Sequence, residues 1–169
     1  MLNNLFRHII PHFLLLRIIF FLLILIWVFG FSLPFFIPID QQTIILYQFF
    51  HKIYSGVCHQ LEYKSISVFG YYFHVCARCS GIYIGAFIGS IISLFYLKQK
   101  HLKIKYFYIA AFPIIIDVLF QSLNISEYIK LSAFLTGIIF GFTVFIFFIS
   151  AIENYFIVHK TNYSLNEFK

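Results

Sequence analysis

Cysteine occurs three times in this chain, at positions 58, 76 and 79, and the residues beside each are of kinds that bind metals or exchange disulfides. Cys58 and His59 are adjacent and lead into Gln60. Cys76 and Cys79 form a Cys-x-x-Cys pair with Arg78 between them, and His74 stands two positions before the pair. Thiolate and imidazole together make tetrahedral zinc sites, and Cys-x-x-Cys is the usual short arm of such a site. Cys58-His59 is a second arm, so Cys58, His59, Cys76 and Cys79 form a candidate four-donor set. Neighbouring residues seldom bind one ion together, so His59 either ligates or serves to orient and protonate, and His74 is the substitute fourth ligand. Zinc or another thiophilic ion such as copper(I) suits these donors.

The same residues also fit thiol–disulfide exchange. Cys76 and Cys79 are expected at a helix N-terminus beside Arg78, where dipole and cation both favour the thiolate, and Cys58 is then a resolving or shuttle thiol. A third reading is structural, a disulfide that braces an outer loop, although three cysteines leave one unpaired. A Cys58-His59 nucleophile and base is disfavoured, because adjacent side chains seldom reach each other and no oxyanion donors are identifiable. Ser80 follows Cys79 where c-type haem attachment needs histidine.

The chain that must position these groups has 169 residues, of which 62% are hydrophobic and 11% charged. Its mean hydropathy is +0.91. Charged residues make up about a quarter of a soluble domain, so the composition predicts an all-α integral membrane protein, read as one membrane domain over residues 1–169. A spanning helix needs about 20 mainly apolar residues, and four segments qualify: 13–33, 81–97, 104–119 and 131–152. The first is longer than the roughly 7 to 15 apolar residues of a secretory signal and lacks a small-residue cleavage site, so it is read as an anchor.

Lys98, Lys100, Lys103 and Lys105 crowd the short connection between the second and third spans. Lysine-rich short loops stay in the cytoplasm. This predicts cytoplasmic termini in a plasma (inner) membrane, with residues 34–80, and so the Cys/His loop, on the extracytoplasmic side. The net charge of +6 is then a matter of topology, and no nucleic-acid motif is present. Arg17, one turn into the first apolar run, is expected to snorkel to the headgroups.

Pro34 and Pro38 break the chain after the first span, and Asp40 is placed to cap an amphipathic interfacial helix that Gly56 ends. "SISVFGYYFHV" reads as a small hairpin around Gly70 that leads into Cys76. Gly81, Gly85, Gly89 and Ser93 repeat every four residues along the second span, and Ala133, Gly137 and Gly141 do so along the fourth. Such stripes let helices approach closely, here either span two against span four or in a homodimer within the lipid bilayer. Asp117 lies about 18 Å above Lys105 in the third span. It is expected either to pair with Arg78 or Lys130, or to be protonated against backbone freed by Pro113.

"CHQ" at 58–60, "CARCSGIYIG" at 76–85, "PIIID" at 113–117 and "LTGIIFG" at 135–141 together resemble the domain of unknown function 2085 family of small prokaryotic membrane proteins. The resemblance covers roughly residues 45–145. This chain has Lys64-Ser65-Ile66 where the family pattern commonly has Arg-Ser-Phe. The resemblance implies the membrane architecture and the same site residues, and carries no reaction with it.

Overall fold

In a computed structural model, residues 2–37, 40, 42–68, 70–95, 104–123 and 127–166 are described, with side chains described between 13 and 156 except that of Val68. Helix α1 (Leu2–Phe36) is followed by α2 (Ile44–Ser55), a short 3-10 turn (Glu62–Lys64), the strands β1 (Ser65–Val68) and β2 (Tyr71–Cys76), and then α3 (Ala77–Phe95), α4 (Lys105–Ser122) and α5 (Lys130–Asn166). Four stretches are long and apolar enough to cross a membrane: Phe13–Phe36, Ala77–Phe95, Lys105–Ser122 and Lys130–Phe156. The lysine-rich loop over residues 98–103 and Pro38 lie outside the described residues, whereas Lys105 opens α4.

Helix α1 runs through Pro34 and stops two residues later. Helix α2 begins after Thr43, and the Asp40 carbonyl accepts the N–H groups of Thr43 and Ile44, both at 3.0 Å. Gly56 follows its last residue. The hairpin forms around Gly70, whose φ of +84° is the left-handed conformation that glycine tolerates. It is antiparallel, pairing Ser67 with Tyr72 and Ser65 with Cys76, with a bulge between Ser65 and Ser67.

Helices α3 and α5 form the tightest contact of the bundle, and the glycines explain it. A side chain on Gly81 or Gly85 would run into the backbone of Phe134 or Ile138, and one on Gly141 into the backbone of Ile82. The two small-residue stripes therefore face each other within one chain. Lipid supplies no hydrophobic force between spans, so this close backbone packing is what holds them. Helix α1 packs on α3 through aromatic pairs, Phe21 with Phe87 and both Trp27 and Phe31 with Tyr83, and meets α5 where Phe20 lies against Phe148. Helix α4 packs on α5, where Phe107 meets Phe140 and Phe147 and the buried residues of α4 are Ala110 and Ala111.

The expectation that Arg17 snorkels to the headgroups is overturned. Arg17 is 5% exposed and Glu153 1%; the guanidinium donates to both oxygens of Glu153 on α5 and to the Ser93 carbonyl near the end of α3. The opposite charge supplied by α5 removes the reason to reach for water, because a paired ion no longer needs the headgroup region.

Candidate metal centre

Each sulphur arrives on a different element. Cys58 is held three residues beyond the end of α2, where its N–H donates to the Tyr54 carbonyl at 3.0 Å. Tyr54 in turn is pinned to α1, its hydroxyl donating to the Trp27 carbonyl at 2.7 Å. Cys76 is the last residue of β2, and Cys79 lies in the first turn of α3. Phe31, Tyr54, Cys58 and Val75 make one buried cluster, with Phe73, Cys76, Cys79 and Tyr83 packed against it. Alternation along β2 explains why the hairpin can do this: Phe73 and Val75 face α1, while His74 packs on α2 residues.

The three Sγ atoms all lie within 4.8 Å of one another. With a metal–sulphur bond of about 2.3 Å, sulphurs that share one ion in trigonal or tetrahedral geometry stand roughly 3.8 to 4.0 Å apart. A small inward movement thus closes the trio on an ion. Cys58 is buried, Cys76 and Cys79 are half-buried, and all three are free thiols. The Cys76 N–H donates to Cys58 Sγ at 3.1 Å. Hydrogen bonds from the Cys76 and Cys79 thiols, joined by that N–H, hold the Cys58 thiol well below the usual cysteine range despite its burial. Cys76 moves the other way, pushed up chiefly because its thiol donates to Cys58. Cys58 is therefore the sulphur that carries negative charge first.

The other residues singled out in the sequence lie around this trio in distinct ways. His59 is exposed and is not part of the sulphur group. His74 is 2% exposed and also outside it, packed against Tyr47, His51 and Tyr54. Burial, and then nearby His51, push the His74 imidazole down to about 4, so its ring is neutral. Gln60 has φ +51° and donates to the carbonyls of His51 and His74, each at 2.8 Å. Arg78 pairs with Asp117 and also reaches Gln121 Oε1 at 3.2 Å, tying the first turn of α3 to α4. Asp117 lines a groove of about 410 Å³ between α4 and α5, whose other polar walls are Glu127, Ser132 and Thr136.

Three residues of this region carry no short sequence motif. Tyr54 lies on the broad apolar face of α2 and anchors the loop that carries Cys58. His51 belongs to the polar stripe of α2 and faces His74 across the gap between helix and strand. Tyr128 spans from the Lys64 carbonyl, at 3.4 Å, to the Arg78 guanidinium, whose carbon lies 6.0 Å from the centre of its ring. Only Tyr128 had a usable signal, as an aromatic residue at the predicted outer end of span four.

Helices of spanning length, packed by glycine stripes and carrying a thiol cluster at one end, define an integral membrane protein. Residues 58–147, more than half of the chain, match the family described as predicted membrane protein (DUF2085), and the chain belongs to that family. It is 40% identical over 97 residues to an uncharacterised protein of Methanocaldococcus jannaschii, covering 56% of this chain and 62% of that one. It is 31% identical over 83 residues to an uncharacterised protein of Methanothermobacter thermautotrophicus, covering 48% of this chain and 75% of that one. The chain thus spans less than two thirds of the length of the M. jannaschii protein. No solved structure matches. The family match takes in all three cysteines, Arg78 and Asp117, and leaves Arg17, His51 and Glu153 outside it.

Proposed function

We propose that this protein binds a thiophilic metal ion, zinc or copper(I), through Cys58, Cys76 and Cys79 on the extracytoplasmic side of the membrane. The observation that carries the reading is the convergence of three sulphurs from three separate elements to within 4.8 Å. Soft thiolates select such ions over magnesium or calcium. Arg78, one residue before Cys79, fastens the helix that carries this sulphur to α4 through Asp117. His59 and water are the candidates for a fourth position. The extracytoplasmic placement is supported by the lysines between spans two and three. The facing stripes are filled within one chain, so a second copy would pack on another surface.

One observation favours a second reading, thiol–disulfide exchange. Cys58, held below the usual cysteine range, has two further sulphurs within 4.8 Å. Its thiolate would attack a disulfide substrate, releasing one substrate thiolate. A second cysteine of the chain would then displace the other, leaving a reduced substrate and an intrachain disulfide.

Anaerobic purification, metal analysis and counting of alkylatable thiols separate these readings. Metal binding gives about one ion per chain and three thiols that alkylate only after chelation. Exchange gives a metal-free protein with a bridge that small thiols reduce readily. A metal-free protein with an inert bridge would leave only a bracing role and defeat both.

A further inference from the structure

Gln60 uses its side-chain nitrogen twice, donating to the carbonyl of His51 in α2 and to the carbonyl of His74 in β2 at 2.8 Å each. One amide thus joins the helix to the hairpin at the two residues that carry imidazoles. Their ring centres stand 5.7 Å apart at 63°. Two imidazoles that share one ion through nitrogens at about 2.0 to 2.1 Å, at square or tetrahedral angles, place their ring centres roughly 4.5 to 5.2 Å apart, so a shift of about half an ångström in the exposed His51 ring closes the pair. His74 is buried, and neither of its ring nitrogens has a hydrogen-bond partner among the described residues. A polar group so placed calls for a partner. His51 is exposed, which gives an ion a way in and leaves water to complete its coordination. Tyr47 walls the pair, 4.6 Å from the His74 ring and stacked on His51 at 6.0 Å.

We propose that His51 and His74 form a nitrogen-donor site for a divalent cation of the copper, nickel or zinc type, separate from the three sulphurs, with Gln60 as its positioning residue. Imidazole suits these borderline ions, whereas the thiolates suit softer ones. This site does not depend on whether the cysteines bind metal.

The test uses the full chain in detergent with Cys58→Ser, Cys76→Ser and Cys79→Ser, titrated with Cu²⁺ and followed by electron paramagnetic resonance. The expected result is one tightly bound ion coupled to two nitrogens. His51→Ala, at an exposed position, reduces the coupling to one nitrogen and weakens binding at least tenfold. Gln60→Glu, which removes the donor, keeps the two-nitrogen spectrum and weakens binding about tenfold, as loss of groups that orient ligands does. Absence of a stoichiometric ion, or a spectrum and affinity that His51→Ala leaves unchanged, overturns the proposal. Since this background lacks all three thiols, either result leaves the sulphur site to be judged on its own.

Discussion

Arg17 on α1 and Glu153 on α5 form a bidentate ion pair inside the bundle, Nε to Oε1 at 2.6 Å and Nη2 to Oε2 at 2.9 Å, while Nη1 donates to the Ser93 carbonyl at 2.5 Å. The pair clamps three helices at the end of α3 opposite Arg78 and Asp117. Along α3 the two contacts are about 22 Å apart. Each is an arginine–carboxylate pair between spans, and together they fix the bundle near both of its ends.

Removing one member of the Arg17–Glu153 pair strands a buried charge, which costs about 3–5 kcal/mol. Arg17→Met and Glu153→Met are each expected to destabilise the protein by that order, measured by unfolding in mixed micelles. The double variant Arg17→Met/Glu153→Met removes both charges and should recover most of the loss. If the double variant were as unstable as the sum of the single ones, the two residues would not act as a pair.

The glycine stripes predict a contrast. Gly85→Ala and Gly141→Ala insert a methyl group into the facing backbone of α5 or α3, and overpacking of this kind costs about 1–3 kcal/mol. Gly56, by contrast, has φ −69°, and a side chain there would meet only the Ile53 carbonyl, at 3.6 Å. Gly56→Ala should stabilise the protein by about 0.4–1 kcal/mol, because alanine restricts the unfolded chain at no cost to the native one. Equal effects at all three positions would mean that α3 and α5 do not meet along these stripes.

Much of this architecture was legible because it rests on local patterns. The spans follow from runs of apolar residues, the hairpin from β-branched and aromatic residues around Gly70, and the gathering of cysteines from their confinement to residues 58–79. The Arg17–Glu153 pair was not legible, since 136 residues separate the partners. Arg17 taken alone has snorkelling as its local solution. The glycine spacing announced close packing and left the partner helix open, as any one-dimensional pattern must. His51 lies on the amphipathic helix, and nothing near it in the chain shows that Gln60 brings β2 alongside.

Ligand stabilisation gives a third prediction for the sulphur trio. An ion that binds only the folded chain adds about 2.7 kcal/mol at a free concentration one hundred times its dissociation constant. Cd²⁺, a spectroscopic stand-in for zinc, should raise the unfolding midpoint of the reduced protein and produce thiolate charge-transfer absorption. Cys58→Ser, Cys76→Ser and Cys79→Ser should each abolish most of that gain. A full gain retained by any one variant would remove that cysteine from the ligand set.

Orientation is tested with cysteines placed where labelling does not require the buried trio to open. Tyr63 is 63% exposed on the 3-10 turn between Cys58 and the hairpin, and Ile104 is 57% exposed just before α4, beside the lysine-rich connection. In a background lacking the three native cysteines, Tyr63→Cys should react with a membrane-impermeant maleimide on intact cells, and Ile104→Cys only after permeabilisation. The expectation rests on the lysines, since lysine-rich short loops stay in the cytoplasm and the turn before the hairpin would then lie on the other side. The opposite pattern would place the thiol trio in the reducing cytoplasm. There a metal would still find three thiolates, but a stable bridge would not persist, and thiol–disulfide exchange with an oxidising outer compartment would be ruled out.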